Sequence, residues 1–361
     1  MLDAALQHLE KLVSFDTRNP PRAIDSGGIF EYLRAQLDGF QIDITDHGAG
    51  AVSLLAVRGD PQRVFNVHLD TVPDSPGWSA SPFALRVQDR RAIGLGACDI
   101  KGAAACQLAA AQHTTGDAAF LYTSDEEAND PRCISAFLAR DRGFREAIIA
   151  EPTRCEAVLA HRGIASVQMK FRGTAGHASA ANALDASALH QAVRWSGRAL
   201  DFVASEAQSR FGGMTGLRFN IGRIEGGIKA NIIAPSAELR FGIRPLPSQD
   251  MDALHAIFRA FVYPDVLGHY EETFRGPSLP AGDAAAAEDR RLQARDLADT
   301  LSLPIGNAVD FWTEASLFSA AGMTAIVYGP GDIAQAHSAD EWVALDELDA
   351  ALATYRRLLE A

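Results

Sequence analysis

The sequence predicts an α/β protein in which a mostly parallel-sheet domain carries an inserted α+β domain of the ferredoxin-like type. Two observations predict this architecture. In the outer parts of the chain, short apolar runs alternate with helical stretches, which is typical of a parallel sheet covered by helices. In the middle, the elements follow the order β-α-β-β-α-β instead. We therefore expect one domain formed by residues 1–163 and 277–361 and a second formed by residues 164–276.

The first domain is predicted to contain four buried strands, because four short and continuous apolar runs occur in it. These runs are 63–67, 118–123, 147–150 and 324–328. A helix is predicted at residues 2–13, whose apolar side chains recur at helical spacing. An alanine-rich helix is predicted at residues 100–113, and Asp99 stands where an aspartate can cap its first turn.

The inserted domain is predicted to contain four strands and two helices. The strands are expected at 165–171, 217–224, 237–243 and 271–274, and the helices at 184–204 and 249–261. The first of these strands alternates polar and apolar residues, which indicates a sheet with one covered face. The first of these helices is amphipathic and long enough to cover that face.

Composition excludes several classes of partner. The chain has 361 residues, with 33 Lys and Arg against 46 Asp and Glu, a net charge of −13. This charge repels phosphate backbones, so nucleic acid is not expected as a partner. No apolar run reaches the ~18 residues of a membrane-spanning helix. The four cysteines are scattered and lack CxxC spacing, which predicts reduced thiols and a cytoplasmic location.

Histidine and carboxylate residues follow each of the four predicted buried strands. His68 ends the first strand, residues 125–127 (Asp-Glu-Glu) follow the second, Glu151 follows the third, and His337 comes after the fourth. Because the carboxyl ends of parallel strands meet at one edge of a sheet, we expect these side chains to share a ligand site. Together with Asp99 they form a sensible two-metal set, since one carboxylate can bridge two cations about 3.5–4 Å apart.

Taken one at a time, these residues have plainer explanations. His68 could simply end a strand, Asp99 could cap a helix, and residues 125–127 could form a solvated acidic turn. Three rival site types are excluded. Gly94-x-Gly96 is followed by an aspartate at the third position, which would repel a dinucleotide pyrophosphate. The chain also has no GxSxG elbow of a serine hydrolase and no HExxH motif of a zincin.

Seven motifs in order resemble the M20 metallopeptidase family over essentially the whole chain. They are HLDTVP at 68–73, GLGACDIKG at 94–102, SDEEA at 124–128, AEPT at 150–153, GTAGHAS at 173–179, NIIAPSAELRFGIRP at 231–245 and GPGDIAQAHSADEWV at 329–343. The stretch FWTEASLF at 311–318 resembles the acetylornithine deacetylase branch of that family. The resemblance implies a metal-binding catalytic domain with an inserted lid domain.

The resemblance also implies a site for two divalent cations, Zn²⁺ or Co²⁺. The ligands it implies are two sets of three that share one aspartate: His68, Asp99 and Glu151 for one ion, and Asp99, Glu127 and His337 for the other. In the same way, Glu126 is implied as the general base and Asp70 as the residue that orients His68.

Three residues of the inserted domain are implied to act on a small-molecule substrate. His177 would help to hold the oxyanion, while Asn231 and Arg244 would bind the substrate carboxylate. In dimeric members of the family the lid histidine acts in the partner's site. A homodimer formed through the lid domain is therefore expected.

The activity that the resemblance implies is removal of the acetyl group from an N-acetyl-L-amino acid in arginine biosynthesis. N-acetyl-L-citrulline is the first choice of substrate and N-acetyl-L-ornithine the second. Succinyl-diaminopimelate and dipeptides remain alternatives within the same chemistry, and a non-catalytic metal-binding protein is the alternative from another class. Two residues depart from the family pattern: Leu95 replaces an arginine and Ile100 a methionine. A cis peptide is implied after Asp99.

Overall fold

The computed structural model describes residues 1–360 and divides into two compact units. The first unit comprises Met1–Leu159, Leu292–Gly306 and the chain from Thr313 onward. The second unit comprises Ala160–Arg291 and Asn307–Trp312. The second unit thus contains the whole of the predicted insertion and takes in residues beyond both of its ends.

Within residues 1–360 there are ten α-helices and fifteen strands. The helices are α1 (Leu2–Val13), α2 (Gly28–Gln36), α3 (Gly102–Gln112), α4 (Arg132–Leu138), α5 (Ala183–Ala186), α6 (Ala188–Ser205), α7 (Met251–Ala260), α8 (Ala287–Thr300), α9 (Ala315–Ala320) and α10 (Leu345–Glu360). The strands are β1 (Gln41–Asp46), β2 (Val52–Arg58), β3 (Arg63–His68), β4 (Arg86–Gln88), β5 (Arg91–Ile93), β6 (Ala118–Thr123), β7 (Glu146–Ile149), β8 (Ile164–Arg172), β9 (Arg210–Phe211), β10 (Met214–Thr215), β11 (Arg218–Gly226), β12 (Ser236–Arg244), β13 (Leu267–Gly276), β14 (Thr324–Val327) and β15 (Trp342–Ala344). None of the helices described is long and apolar enough to cross a membrane.

The first unit is built on a six-stranded sheet in the order β1-β2-β6-β3-β7-β14. The pairs β6–β3, β3–β7 and β7–β14 are parallel, whereas β1 and β2 add an antiparallel edge. All six residues of β6 are buried, as expected for a strand covered on both faces. The four buried strands predicted from apolar runs are therefore confirmed, each within one residue at either end.

Helix α3 packs against α1 and α10 in the first unit. Its residues from Gly102 to Ala111 are all buried, and most of them are alanines. Small side chains let a helix approach its neighbours on every side, which explains why an alanine-rich sequence occupies this central position. A separate three-stranded sheet, β15-β5-β4, lies next to the turn that precedes α3.

The second unit contains a four-stranded antiparallel sheet in the order β11-β12-β8-β13. Helices α6 and α7 supply Trp195 and Phe258, which pack with Phe219 and Phe241 of the sheet. The order β8-α6-β11-β12-α7-β13 confirms the predicted ferredoxin-like arrangement, with the β9–β10 hairpin added. The single helix predicted at 184–204 is wrong, because Ser187 is extended there and its side chain accepts a hydrogen bond from the amide of His190 to start α6.

Candidate active site

The carboxyl ends of the parallel strands in the first unit carry the predicted site residues. His68 is the last residue of β3, and Glu126 and Glu127 follow the end of β6 by three and four positions. Glu151 follows β7 and His337 follows β14. Since β6, β3, β7 and β14 are neighbours in the sheet, residues distant in sequence meet at one edge.

Asp99 lies between the two histidines. Its Oδ1 is 3.2 Å from Nε2 of His68, and its Oδ2 is 3.4 Å from Nε2 of His337. Oε1 of Glu127 lies 3.0 Å from the same nitrogen of His337. Two groups of possible metal ligands result, namely His68, Asp99 and Glu151, and Asp99, Glu127 and His337. In each group the ligand atoms lie within 4.8 Å of one another. A carboxylate shared by two groups fits a pair of bridged cations.

The segment that presents Asp99 is not the helix start that the sequence predicts. Residues Ala97–Lys101 form a π-helical turn, α3 begins at Gly102, and the peptide after Asp99 is cis, as the family resemblance implied. The side chain of Asp99 caps no helix; it faces the histidines. Gly96, at φ 77°, allows the turn, because a Cβ there would lie 2.7 Å from Cγ2 of Thr71.

Asp70 organises this edge in a way that differs in detail from the expectation. Nδ1 of His68 is 3.0 Å from the main-chain carbonyl of Asp70 and 3.6 Å from its carboxylate. The carbonyl can only accept, so Nδ1 donates to it, and Nε2 is the nitrogen that would bind a metal in place of the proton it shares with Asp99. The carboxylate of Asp70 instead accepts from the side-chain amide of Asn19 at 2.8 Å and from the backbone of Glu127 at 3.0 Å.

The site has more buried negative charge than its histidines balance. Burial, and then neighbouring carboxylates, raise the pKa of Glu126 to about 8, and burial raises the pKa of Glu151 well above its ordinary value. Hydrogen bonds that the His337 ring donates to the carboxylates of Asp99 and Glu127 raise the pKa of His337 to about 10. Carboxylates held this close favour any added positive charge. The residues present therefore fit divalent cations, which the donor chemistry of imidazole and carboxylate also suits.

Three further buried acidic residues lie in this region; Asp125 was expected only as a member of the cluster at 125–127, and Glu314 and Glu341 were not singled out by the sequence reasoning. Burial raises the pKa of Asp125 to about 6, although its carboxylate accepts a hydrogen bond from the backbone of Cys133 at 2.9 Å. Glu314 is 2% exposed, and burial followed by the charges of Asp125 and Glu126 raises its pKa. Glu341, also 2% exposed, binds the backbone around Asp99. All three stand inside the motifs at 124–128, 311–318 and 329–343, so the signal was present but carried no obvious role.

Two of the predicted substrate-binding residues lie on paired segments of the second unit. His177 forms a β-bridge with Ile232, and the backbone of Ala178 donates to the carbonyl of Asn231 at 3.1 Å. The ring of His177 is exposed, and its Nδ1 lies 2.7 Å from Oγ of Ser179. His177 and Asn231 thus lie on two neighbouring segments of the chain, although 54 positions separate them in the sequence.

Arg244, the third predicted residue, ends β12 and lines a hollow of about 310 Å³ in the second unit. Arg218, Asn220 and Ser166 also line it. The fully buried Arg162 donates through a guanidinium nitrogen to the carbonyl of Arg244 at 3.3 Å. Two arginines, Arg218 and Arg244, are thus part of the lining, which suits an anionic group, although Arg218 also lies 3.6 Å from the carboxylate of Asp310.

Comparisons with known proteins identify the family and the fold of the chain. The model of peptidase family M20/M25/M40 matches residues 64–361. The chain is 67% identical over 360 residues to an N-acetyl-L-citrulline deacetylase of Xanthomonas campestris pv. campestris, covering 99% of this chain and 98% of that protein. It is 29% identical to an acetylornithine deacetylase of Myxococcus xanthus, covering 96% and 94%. Aminopeptidase PepT of Bacillus cereus has the same fold, with a TM-score of 0.74, 18% identity, and coverage of 100% and 98%.

Proposed function

The chain belongs to peptidase family M20/M25/M40, and we propose that it is a metal-dependent hydrolase that converts N-acetyl-L-citrulline into L-citrulline and acetate. The observation that carries this proposal is the 67% identity, over 99% of the chain, to an N-acetyl-L-citrulline deacetylase. The shared position of Asp99 between two groups of metal ligands supports the same reaction class. A role in arginine biosynthesis is part of the proposal. A cytoplasmic location is proposed as well, because the chain has only four cysteines and they are scattered.

The proposed cofactor is a pair of divalent cations, Zn²⁺ or Co²⁺. One would be held by His68, Asp99 and Glu151, and the other by Asp99, Glu127 and His337. When bound, such cations lower the pKa of water and polarise a carbonyl oxygen. Mixed imidazole and carboxylate ligands suit both metals.

Glu126 is proposed as the general base and acid. It is in neither ligand group, its side chain has no hydrogen bond within residues 1–360, and burial raises its pKa to about 8. A carboxylate of this kind can take a proton from the attacking water while the water oxygen bonds to the acetyl carbon. It then returns that proton to the amide nitrogen, whose bond to the acetyl carbon breaks. The products are acetate and the free amino acid.

The second unit is proposed to bind the substrate. His177 would donate to the oxyanion that develops on the acetyl oxygen, a contact that strengthens as charge builds up. Arg244 would hold the substrate carboxylate with two parallel hydrogen bonds, and Asn231 would add a third. The exposed ring of His177 and the hollow beside Arg244 support these roles.

A homodimer through the second unit is proposed as well. Five apolar side chains there are between 40% and 77% exposed: Leu184, Val193, Leu200, Ile224 and Ile228. Strand β11, which contributes one of them, is an edge of its sheet and offers unpaired backbone groups. Analytical ultracentrifugation should give the mass of two chains, and Val193→Asp should lower it to one. A wild-type protein that sediments as a single chain would contradict this assembly.

The activity is tested by measuring amine release from three substrates with purified protein loaded with Zn²⁺ or Co²⁺. These are N-acetyl-L-citrulline, N-acetyl-L-ornithine and N-succinyl-diaminopimelate, each with and without a chelator. Turnover of acetylcitrulline that the chelator abolishes is expected. Preference for acetylornithine, the second candidate because of the Myxococcus xanthus relative, would correct the substrate and keep the chemistry. A chain that binds two ions yet turns over none of the three would contradict the deacetylase proposal and leave a dipeptidase or a non-catalytic metal-binding protein.

A further inference from the structure

The carboxylate of Glu341 makes an unusual set of contacts with the loop that carries Asp99. Oε1 accepts hydrogen bonds from the backbone amides of Cys98 at 2.9 Å and of Asp99 at 3.0 Å. Oε2 accepts from the amide of Gly96 at 3.0 Å. One side chain therefore binds three of the four backbone donors at positions 96–99, and every one of these bonds is buried.

The backbone of Glu341 is itself held firmly. Its carbonyl accepts from the amide of Gly94 at 3.0 Å, and the next residue begins β15, which pairs with β5. A side chain on the end of a strand is better fixed than one in a free loop. The carboxylate is thus a rigid anchor rather than an adaptable contact.

Glu341 also joins two of the three chain segments that supply ligands to the second group, those of Asp99 and His337. His337 stands four residues before it, and Asp99 donates to it directly. The turn at 97–101 has two residues with non-helical backbone angles, Asp99 and Ile100, so regular helix hydrogen bonding does not hold it. The contacts from Glu341 replace that hydrogen bonding at the residue on which both ligand groups depend.

We propose that Glu341 is a positioning residue that holds the Asp99 carboxylate where two cations can share it. This inference rests on the proposed two-metal function. Glu341 is in neither ligand group and acts only through the backbone of the loop. Partners that orient metal ligands in this way typically change metal affinity about 10–100-fold when they are mutated.

The test measures Co²⁺ binding by the full chain. Titration calorimetry gives the affinity and the number of ions bound, and visible absorption reports the surroundings of the bound Co²⁺. In Glu341→Gln an NH₂ group replaces one of the two carboxylate oxygens. This NH₂ group then faces a backbone N–H of the loop, so at least one hydrogen bond is lost and two donors oppose each other. We expect Co²⁺ affinity to fall about 10–100-fold for at least one ion, with a changed absorption spectrum. Glu341→Asp keeps the charge but is one methylene shorter, and it should weaken binding too.

Asp340 offers a matched control one position away. Its carboxylate also accepts from three donors, the backbone and side chain of Ser79 and the guanidinium of Arg86, and none of them belongs to a ligand loop. Asp340→Asn should therefore bind Co²⁺ like the wild type. If Glu341 served stability alone, its variants would lower the melting temperature of the metal-free protein and leave Co²⁺ affinity unchanged.

Two outcomes distinguish a failure of the positioning role from a failure of the proposed two-metal site. Equal affinities and spectra for wild type, Glu341→Gln and Glu341→Asp would overturn the positioning role and leave the two-metal site intact. A wild-type chain that binds fewer than two Co²⁺ ions would overturn the two-metal site itself, whatever the variants do.

Discussion

Replacement of Glu126 by glutamine tests the proposed reaction most directly. The two side chains have nearly the same shape, and Glu126 has no side-chain hydrogen bond within residues 1–360, so the substitution leaves no cavity and no unpaired partner. Glu126 also lies outside both ligand groups. The fold and the binding of two ions should therefore persist. Only the capacity to accept and return a proton is removed.

The expected loss follows from that single change. A positioned general acid–base group contributes about 10²–10⁴-fold to a rate. The kcat should therefore fall by about that factor, which corresponds to an activation free energy about 3–5 kcal/mol higher. Acetate release from N-acetyl-L-citrulline by the Co²⁺-loaded protein measures kcat, and elemental analysis measures bound metal. Glu127→Gln serves as the contrast, because it alters a ligand of the second group and should lose an ion together with activity.

One result would refute this reasoning. If Glu126→Gln kept two ions and its kcat stayed within about threefold of wild type, a factor far below the range for general catalysis, another group would have to move the proton. Glu314, buried and within the electrostatic reach of Glu126, would then be the first alternative to examine.

Three further predictions concern the second unit. Arg244→Ala should raise KM for the N-acetyl amino acid about 10-fold or more, by loss of a charged hydrogen-bonded contact, and steady-state kinetics with unchanged KM would exclude Arg244 from substrate binding. Trp195→Ala should lower the free energy of unfolding by about 3–5 kcal/mol, because a fully buried ring and its hydrogen bond to the carbonyl of Phe258 are lost; urea denaturation measures this, and a loss below about 1 kcal/mol would contradict the packing described. Asp310→Asn should lower the melting temperature by a constant amount between pH 8 and 5. Burial alone would raise the pKa of Asp310, but the Arg162 guanidinium holds that pKa below the ordinary value of 3.8. The ion pair therefore stabilises the fold fully above pH 3.8, and this stabilisation is lost only as the pH falls below that value. A difference in melting temperature between wild type and variant that shrinks between pH 8 and 5 would refute the pairing.

Much of the fold could be predicted because the signals are local. The buried strands were located within one residue because a strand covered on both faces must be apolar throughout, as β6 is. The break at Ser187 was missed, since amphipathic spacing continues across it and only the capping hydrogen bond to His190 marks the new helix. The turn at Asp99 was missed for a similar reason, because an aspartate before an alanine-rich helix has the same sequence signature whether or not it caps the helix.

The site residues were predictable as a set, but their individual contacts were not. Strand ends and motifs pointed to His68, Glu127, Glu151 and His337, because parallel strands bring their carboxyl ends to one edge. Asp70 was expected to orient His68, and the structure shows that its main-chain carbonyl lies 3.0 Å from Nδ1 of the ring while its carboxylate lies 3.6 Å away. A sequence names a residue and does not say which of its atoms is turned toward a neighbour.

The sequence by itself determined the α/β class, the inserted ferredoxin-like domain and the family, because these depend on periodicity and on motifs that are readable along the chain. The family resemblance implied that His68 and His337, 269 positions apart, share Asp99, but only the tertiary structure gave the distances between these groups and showed that Glu341 binds the loop that carries Asp99. These contacts depend on backbone angles and on distances of 3 to 4 Å between segments far apart in the chain. No local pattern encodes such distances, because they arise only when the sheet and the turns around it have packed together.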